Sequence, residues 1–316
     1  MKYYNDKTIF HHLTYDELIP VIRKAYQQGE AETSVAPRSF LSYDSGEGER
    51  KSTLLIMPAW QAGKFLGIKQ VTLSPYNKKF PLPTLRGIYI LFNAKTGSPL
   101  ATFDASAITA RRTAAKSAVA AQFLARQDAS TLLMVGTGTL SPELIQAHCE
   151  VRPIEKVLIW EHTPGNGQKV VDKLSGMKQS FEIVSDIESA IPKADIISVA
   201  TMSSDPLING SWLKAGQHLD LVGAYRTDMR EADNETLKRS DLYIDHEDAW
   251  HETGDLVIPL ESGHLTKEDS KGTLFELCGN LKPGRNDEQQ ITCFKSTGHA
   301  MEDLASALHL YHKLKE

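Results

Sequence analysis

Thr131-Leu132-Leu133-Met134-Val135-Gly136-Thr137-Gly138-Thr139-Leu140-Ser141-Pro142 is the stretch that decides the fold. Thr131–Val135 is a short apolar run of the kind that forms a buried strand. Residues 142–149 read as a helix, with Ser141 before it and Pro142 at its first position, where a missing N–H costs little. Between them, Gly136 lets the chain turn tightly. Gly138 lets the backbone approach a pyrophosphate, which would sit on the helix N-terminus. The third glycine of the usual fingerprint is replaced by Ser141, still small enough for helix to pack closely on strand. On residues alone, Gly136-Thr137-Gly138-Thr139-Leu140 is either a dinucleotide cradle or a strand–helix turn with no ligand.

Downstream the same texture repeats. A second strand over 157–160 ends at Glu161, 25 residues after Gly136. That is near the spacing of about 20 at which an acid meets the adenosine ribose. Glu161 would accept from the 2′- and 3′-hydroxyls, which favours NAD; otherwise it is a solvated charge at a strand end. His162 and Thr163 follow and stand where they would touch a 2′-phosphate instead. A helix runs over 168–174, and further strands are expected at 182–184, 195–200, 218–223 and 242–245. Strands alternating with helices imply an α/β fold of Rossmann type, a parallel sheet doubly wound by helices on both faces.

Upstream the texture differs. Residues 104–126 are Ala-rich with few breakers, a strong helix signal, with Ile108, Ala115, Val119, Phe123 and Leu124 near the helical period. Before it lie short apolar or alternating runs at 53–57, Phe65–Leu73 and 87–92, with a turn at 93–98 closing a hairpin onto 99–103. Thr14-Tyr15-Asp16-Glu17 is a capping-box pattern. It opens a helix carrying Leu18, Ile19, Ile22 and Tyr26, with Pro20 in its first turns. Residues 44–49 are a polar loop. Residues 300–315 are helical again, with Leu304, Leu308 and Tyr311 on one side.

Length and charge bound the rest. The 316 residues are 41% hydrophobic and 24% charged, with 35 Lys plus Arg against 40 Asp plus Glu, a net charge of −5. At roughly 150 residues per domain the chain holds about two. A mildly acidic chain argues against nucleic acid as a partner, because phosphate binding needs a basic surface, and against a polybasic membrane anchor. Cys149, Cys278 and Cys293 are too few and too scattered for a disulfide framework or structural zinc, so a reducing compartment is expected. Met1-Lys2-Tyr3-Tyr4-Asn5-Asp6-Lys7 has no apolar leader core, and no run approaches 18 apolar residues. A soluble, cytoplasmic protein is expected. His11-His12 and the separated pair His246 and His251 form no metal motif, and no Gly-x-Ser-x-Gly marks a serine nucleophile.

Several segments, in one order, resemble the ornithine cyclodeaminase and mu-crystallin family over essentially the whole length. They are Met57-Pro58-Ala59, Gly67-Ile68-Lys69, Asp104 to Ala115, and Val135-Gly136-Thr137-Gly138. Later come Val222-Gly223-Ala224-Tyr225-Arg226-Thr227-Asp228-Met229-Arg230-Glu231, Glu252-Thr253-Gly254-Asp255, and Phe294-Lys295-Ser296-Thr297-Gly298. The resemblance implies a Rossmann domain over 121–296. It also implies an α+β substrate-binding and homodimerisation domain over 1–120 plus 297–316. It implies NADH or NADPH as cofactor, with Val222, Gly223, Ala224 and Ser296 joining the glycine-rich turn in the cofactor site. By the same resemblance Arg38, Lys69 and Arg112 hold a substrate carboxylate, and Thr84 is a further substrate contact. The chemistry agrees, since arginine offers a planar two-donor fork. A buried lysine in an otherwise apolar strand is also costly unless paired or used. Arg38, after Pro37 in a polar stretch, reads equally as a surface residue. Arg111 and Arg112 are adjacent on a helix, about 100° apart; the residues alone do not choose, and the family pattern selects Arg112.

In the cyclodeaminase branch an aspartate follows a Gly-Gly pair at the strand end where this chain has Gly223-Ala224-Tyr225. That departure shifts the resemblance to the mu-crystallin and ketimine-reductase branch. Asp228 to Glu231 reads as the capping-box-like start of a helix. The implied reaction is hydride transfer from NAD(P)H to a cyclic ketimine, Δ1-pyrroline-2-carboxylate or Δ1-piperideine-2-carboxylate, giving L-proline or L-pipecolate. Lys69 or a bound water would protonate the imine nitrogen. The rivals are ornithine cyclodeamination, alanine dehydrogenation, and a non-catalytic crystallin-like cofactor binder. His299, after Gly298, reads as a residue near the nicotinamide or as a helix-start histidine.

Overall fold

The computed structural model describes residues 1–48, 51–80 and 82–315. The chain divides into two compact units, Met1–Arg112 with His299–Glu316, and Thr113–Gly298. The sequence reading placed the cuts at 120 and 297. The first structural cut falls earlier in the same helix Ala105–Leu124, after Arg112. An unbroken Ala-rich helix carries no compositional mark at that point.

In the first unit, one sheet has the strand order Lys2–Tyr4, Pro99–Asp104, Leu85–Asn93, Phe65–Leu73, Ser52–Gln61, Ser34–Val35. Ser39–Tyr43 also pairs with Ser52–Gln61. Only the pairing of Lys2–Tyr4 with Pro99–Asp104 is parallel. Alternation sorts the two faces. Gly67, Lys69 and Val71 are buried, and Leu66, Ile68 and Gln70 between them are half-buried. Met57, Ala59, Tyr89 and Leu91 continue the buried face. Helix Ala300–Lys315 lies on it; a Cβ on Gly67 would stand 3.0 Å from Leu304. Leu54, Ile56, Trp60, Ile68, Ile88 and Ile90 lie on the other face, half-buried or exposed.

One local expectation differs from the structure. Thr14 precedes helix Tyr15–Glu32, but its side chain makes no cap bond to the backbone; its hydroxyl bonds Asp16 instead. A seven-residue helix, Asp6–His12, was not read from the sequence, being too short to show a period; Asn5 caps it by accepting from the Thr8 N–H at 3.0 Å. The polar loop is present over 44–48, and Glu49 lies outside the described residues.

The second unit is a parallel sheet. Its spatial order is Ser180–Val184, Lys156–Trp160, Thr131–Val135, Ile196–Val199, His218–Leu221, Thr292–Lys295, Asp241–Ile244, Ser270–Thr273. The order reverses between Thr131–Val135 and Ile196–Val199, and a crevice outside the carboxyl ends of strands at such a point is where ligands bind. The central strands are buried throughout, as expected of strands covered on both faces. Ser270–Thr273 and Thr292–Lys295 were not read as strands. Their polar residues break the apolar run, and Thr292 is satisfied by bonding Leu124 O at 2.9 Å.

The helix expected at Asp228 is absent. Residues 228–231 form a turn and bend, and the next helix, Asn234–Arg239, is capped by Asp233. Asp228 pairs instead with Arg226 at 2.7 Å on the surface. Among the described residues no helix is long and apolar enough to cross a membrane.

Candidate active site

The glycine-rich turn fits an anionic ligand. Gly136 has φ +110, and a Cβ there would fall 2.7 Å from the Ala200 carbonyl oxygen. Any side chain would therefore be both strained and obstructed. Ser141 Oγ donates to the Gly136 carbonyl at 2.9 Å, which stitches the turn shut and explains a serine at the third glycine position. Gly138 has open space where a Cβ would stand. Among the described residues, the N–H groups of Thr137, Gly138, Thr139 and Leu140 have no protein acceptor. They precede the eleven-residue helix Ser141–Val151, whose N-terminus favours negative charge. The turn is thus a cradle of free donors with open space at Gly138, the features an anion such as a pyrophosphate needs.

Glu161 ends the neighbouring strand, as expected. Its carboxylate accepts from the Gly165 N–H at 3.0 Å and from the Gly167 N–H. Those two bonds hold its carboxyl below the usual range. It is therefore a fixed anion at the strand end. His162 and Thr163 are exposed beside it.

Val222, Gly223 and Ala224 leave the strand His218–Leu221. Val222 N–H bonds Val199 O at 2.9 Å. Glu231, fully buried, gathers this end of the sheet. One oxygen accepts from Thr201 N at 2.8 Å and Thr201 Oγ1 at 3.0 Å. The other accepts from Gly223 N at 2.7 Å and Ala224 N at 3.2 Å. Lys295 Nζ stands 3.8 Å from Glu231 and 2.8 Å from Asp255. Burial pushes Glu231 up to about 7, with Lys295 pulling against it. Ser296 is buried, its N–H bonded to Leu221 O at 3.1 Å. Asp245 accepts from Lys116 Nζ at 2.8 Å and from Thr297 and Gly298 N–H groups at 2.8 and 2.7 Å.

In the first unit, Lys69 and Arg112 come together on Glu302 and Asp303. Lys69 Nζ lies 2.7 Å from Asp303 Oδ2. Arg112 Nε lies 3.1 Å from Asp303 Oδ1, and its Nη1 lies 2.7 Å from Glu302 Oε2. Tyr26 Oη donates to Glu302 Oε1 at 2.5 Å, and the His299 N–H donates to the same oxygen at 3.1 Å. Lys69 is 3% exposed and Asp303 is fully buried. Burial pushes Lys69 down to about 8, although Asp303 pulls upward. Burial would also lower Arg112, but Asp303 and Glu302 overcome it and raise it. Burial would raise Asp303, and Lys69 with Arg112 lower it instead. Tyr89 sits opposite Lys69 in the sheet, its ring folded over Gly67. Its buried hydroxyl has no hydrogen-bond partner among the described residues.

The other expected residues fall differently. Arg111 donates to Phe10 O at 2.8 Å and stacks under Phe10 and Tyr15, so it anchors the N-terminal helices while Arg112 meets the acids. Arg38 is half-buried between Ala36, whose N–H bonds Pro58 O, and Ser39, which pairs with Ile56. Pro37 and Arg38 thus face Met57 together, and Met57 pairs with Lys69. Thr84 stands five residues before Tyr89, about 17 Å along an extended strand, so it is not brought to Lys69. Tyr225 is half-buried, and no carboxylate replaces the cyclodeaminase aspartate there.

Sequence reasoning missed Glu302, Asp303 and Glu231. Acidic residues in a first helical turn are ordinary dipole partners, which concealed Glu302 and Asp303. The available signal was their setting, Ala300-Met301-Glu302-Asp303-Leu304, where apolar neighbours imply burial. Glu231 was assigned to a helix start.

The family model described as ornithine cyclodeaminase/mu-crystallin matches residues 4–316. A Δ1-pyrroline-2-carboxylate reductase of Paracoccus denitrificans is 37% identical over 268 residues, covering 83% of this chain and 84% of that protein. The Δ1-pyrroline-2-carboxylate reductase of Thermococcus litoralis, solved in complex with NADH and L-proline, superposes with TM-score 0.92 at 32% identity, covering 100% of this chain and 98% of that one. An archaeal alanine dehydrogenase dimer with bound NAD superposes with TM-score 0.91 at 27% identity, covering 99% and 95%. With its glycine-rich turn, its Lys69–Arg112 cluster and a family match across almost all its residues, the chain belongs to the ornithine cyclodeaminase/mu-crystallin family.

Proposed function

We propose that this protein reduces a cyclic ketimine, Δ1-pyrroline-2-carboxylate or Δ1-piperideine-2-carboxylate, to L-proline or L-pipecolate with NAD(P)H. The observation that carries the reading is the burial of Lys69 and Arg112 on one pair of acids. Arg112 uses Nε and Nη1 there, and its remaining N–H groups meet the substrate carboxylate. Arg38 joins them from the sheet edge. A bound dihydronicotinamide supplies a hydride to the imine carbon. Lys69 Nζ, held near 8, supplies the proton that the imine nitrogen takes as the C=N π pair becomes an N–H bond. Asp303 stabilises the protonated lysine beforehand. Reductases of this name among the relatives, one of them bound to NADH and L-proline, support the reading.

Thr137 to Leu140 bind the pyrophosphate, and the fixed charge of Glu161 favours NADH by repelling a 2′-phosphate. The exposed Asp228, paired to Arg226, and the missing strand-end acid weigh against ornithine cyclisation. The open apolar face of the first unit, with Ile88 40% exposed, supports a homodimer. The dimeric archaeal relative supports it too. Sedimentation of a dimer that Ile88→Glu converts to monomer tests this. Three free cysteines suit a reducing, cytoplasmic setting.

The deciding experiment follows NADH and NADPH oxidation with each cyclic imine. Oxidation with at least one imine is expected. Turnover only with pyruvate plus ammonia, or ammonia release from ornithine without net cofactor change, would overturn the assignment; no turnover with any of them would make the protein a binder.

A further inference from the structure

We infer that Glu231 is a positioning residue for the nicotinamide half of the dinucleotide. Its one carboxylate ties the backbone of two adjacent strand ends, Thr201 after Ile196–Val199 and Gly223-Ala224 after His218–Leu221. This inference rests on the dinucleotide reading above and adds a division of labour to it. The glycine-rich turn and Glu161 address the pyrophosphate and the adenosine end. A dinucleotide laid across the switch point, with its adenosine at Glu161 and its pyrophosphate on the turn after Thr131–Val135, carries its reactive ring toward the ends of Ile196–Val199 and His218–Leu221, where Thr201, Gly223 and Ala224 stand.

The geometry leaves these two residues little freedom of their own. A Cβ on Gly223 would fall 1.9 Å from Thr201 O and 2.6 Å from Glu231 Oε1. The two loops are therefore in direct contact with the carboxylate between them. All four bonds to Glu231 come from donors, three of them backbone N–H groups that cannot turn away. An ionised carboxylate accepts from both sides with no proton of its own to place. Lys295 and Asp255 face the same group, and Asp255 in turn accepts from the Glu231 and Ala232 N–H groups at 2.8 and 3.2 Å. Thr253 Oγ1 donates to the Ala224 carbonyl at 2.8 Å, fixing that peptide from its other side. Glu231 is fully buried, so it touches neither substrate nor cofactor and acts through Gly223, Ala224 and Thr201.

Glu231→Gln keeps the shape but puts an NH₂ against N–H donors on one side, which displaces one loop. The test compares binding of NADH with binding of ADP-ribose, which lacks the nicotinamide, to wild type and Glu231→Gln by calorimetry. ADP-ribose affinity is expected to stay within about threefold, NADH affinity to fall about tenfold, and kcat to fall about a hundredfold, the cost of a reacting pair misplaced by about 1 Å. Thr201→Val, which removes one hydroxyl donor and keeps the backbone bond, is expected to lower kcat by a smaller factor in the same pattern. Glu231→Asp, which restores the charge, should recover part of the loss. Equal loss of both ligands would mean that Glu231 merely holds the fold. Unchanged NADH binding and kcat in Glu231→Gln and Thr201→Val would also overturn the inference. Wild-type protein that binds neither ligand would refute the dinucleotide reading itself, and wild type that binds NADH but reduces no imine would refute only the substrate.

Discussion

Replacing Asp303 by asparagine isolates the role of the acid beneath Lys69. Lys69 Nζ lies 2.7 Å from Asp303 Oδ2, both groups almost wholly buried. At that distance and an effective dielectric near 20 the gross attraction is about 6 kcal/mol, an upper bound. Removing one member of a buried pair costs about 3–5 kcal/mol net, because the other charge is left uncompensated. Lys69 already sits near 8 because burial outweighs the acid. An opposite charge this close holds a pKa by about one to three units, so without it Lys69 falls to roughly 5–7. Lys69 donates a proton and binds a carboxylate only while protonated. Wild-type kcat/KM for the imine should therefore be full below about 8 and decline above it. In Asp303→Asn that decline should move down by about one to three pH units. At pH 7.5 the protonated fraction drops by roughly 25-fold if the new value is near 6. The assay is the pH profile of kcat/KM with saturating NADH, taken well below the melting temperature. An alkaline limb that stays near 8 with kcat/KM intact would refute both the pairing argument and Lys69 as the proton donor.

Gly136→Ala puts a Cβ 2.7 Å from the Ala200 carbonyl oxygen at φ +110. A stability loss of about 1–3 kcal/mol and weaker NADH binding are expected, read by denaturant unfolding and calorimetry; normal binding would remove the turn from the cofactor site. Glu161→Gln removes the fixed anion beside His162 and Thr163, so the ratio of kcat/KM for NADH over NADPH should fall by roughly two- to fivefold, the scale of an exposed charge interaction. An unchanged ratio would show that Glu161 serves only the Gly165 and Gly167 N–H groups.

Much of the second unit was legible because its signals are local. The run Thr131–Val135 forms its strand with the bounds read for it. A Gly–x–Gly turn is required by φ and by close approach, both properties of the glycines themselves. The strands at 270–273 and 292–295 were not legible, since polar residues interrupt their apolar runs; Thr292 and Lys295 are satisfied by Leu124 and Asp255, distant in sequence. Helix Ala300–Lys315 matched its expected span, yet its key residues did not stand out. Lys69 was marked by its setting alone, because a lysine among apolar strand neighbours demands a partner. Its partner was not marked.

The sequence by itself determined the parallel α/β unit, the glycine-rich turn, the Ala-rich and C-terminal helices and the family, because periodicity, turn chemistry and motif order are carried by neighbours in the chain. The family pattern had already singled out Arg112, but only the tertiary structure decided that Glu302 and Asp303 meet it, Asp303 standing 191 residues from Arg112. It also turned Glu231 from a helix cap into a tie between two strand ends. The physical reason is the same in each case. A buried charge must be matched by an opposite charge or by donors, and which group meets it is set by how strands and helices pack, a relation that spacing along the chain does not record.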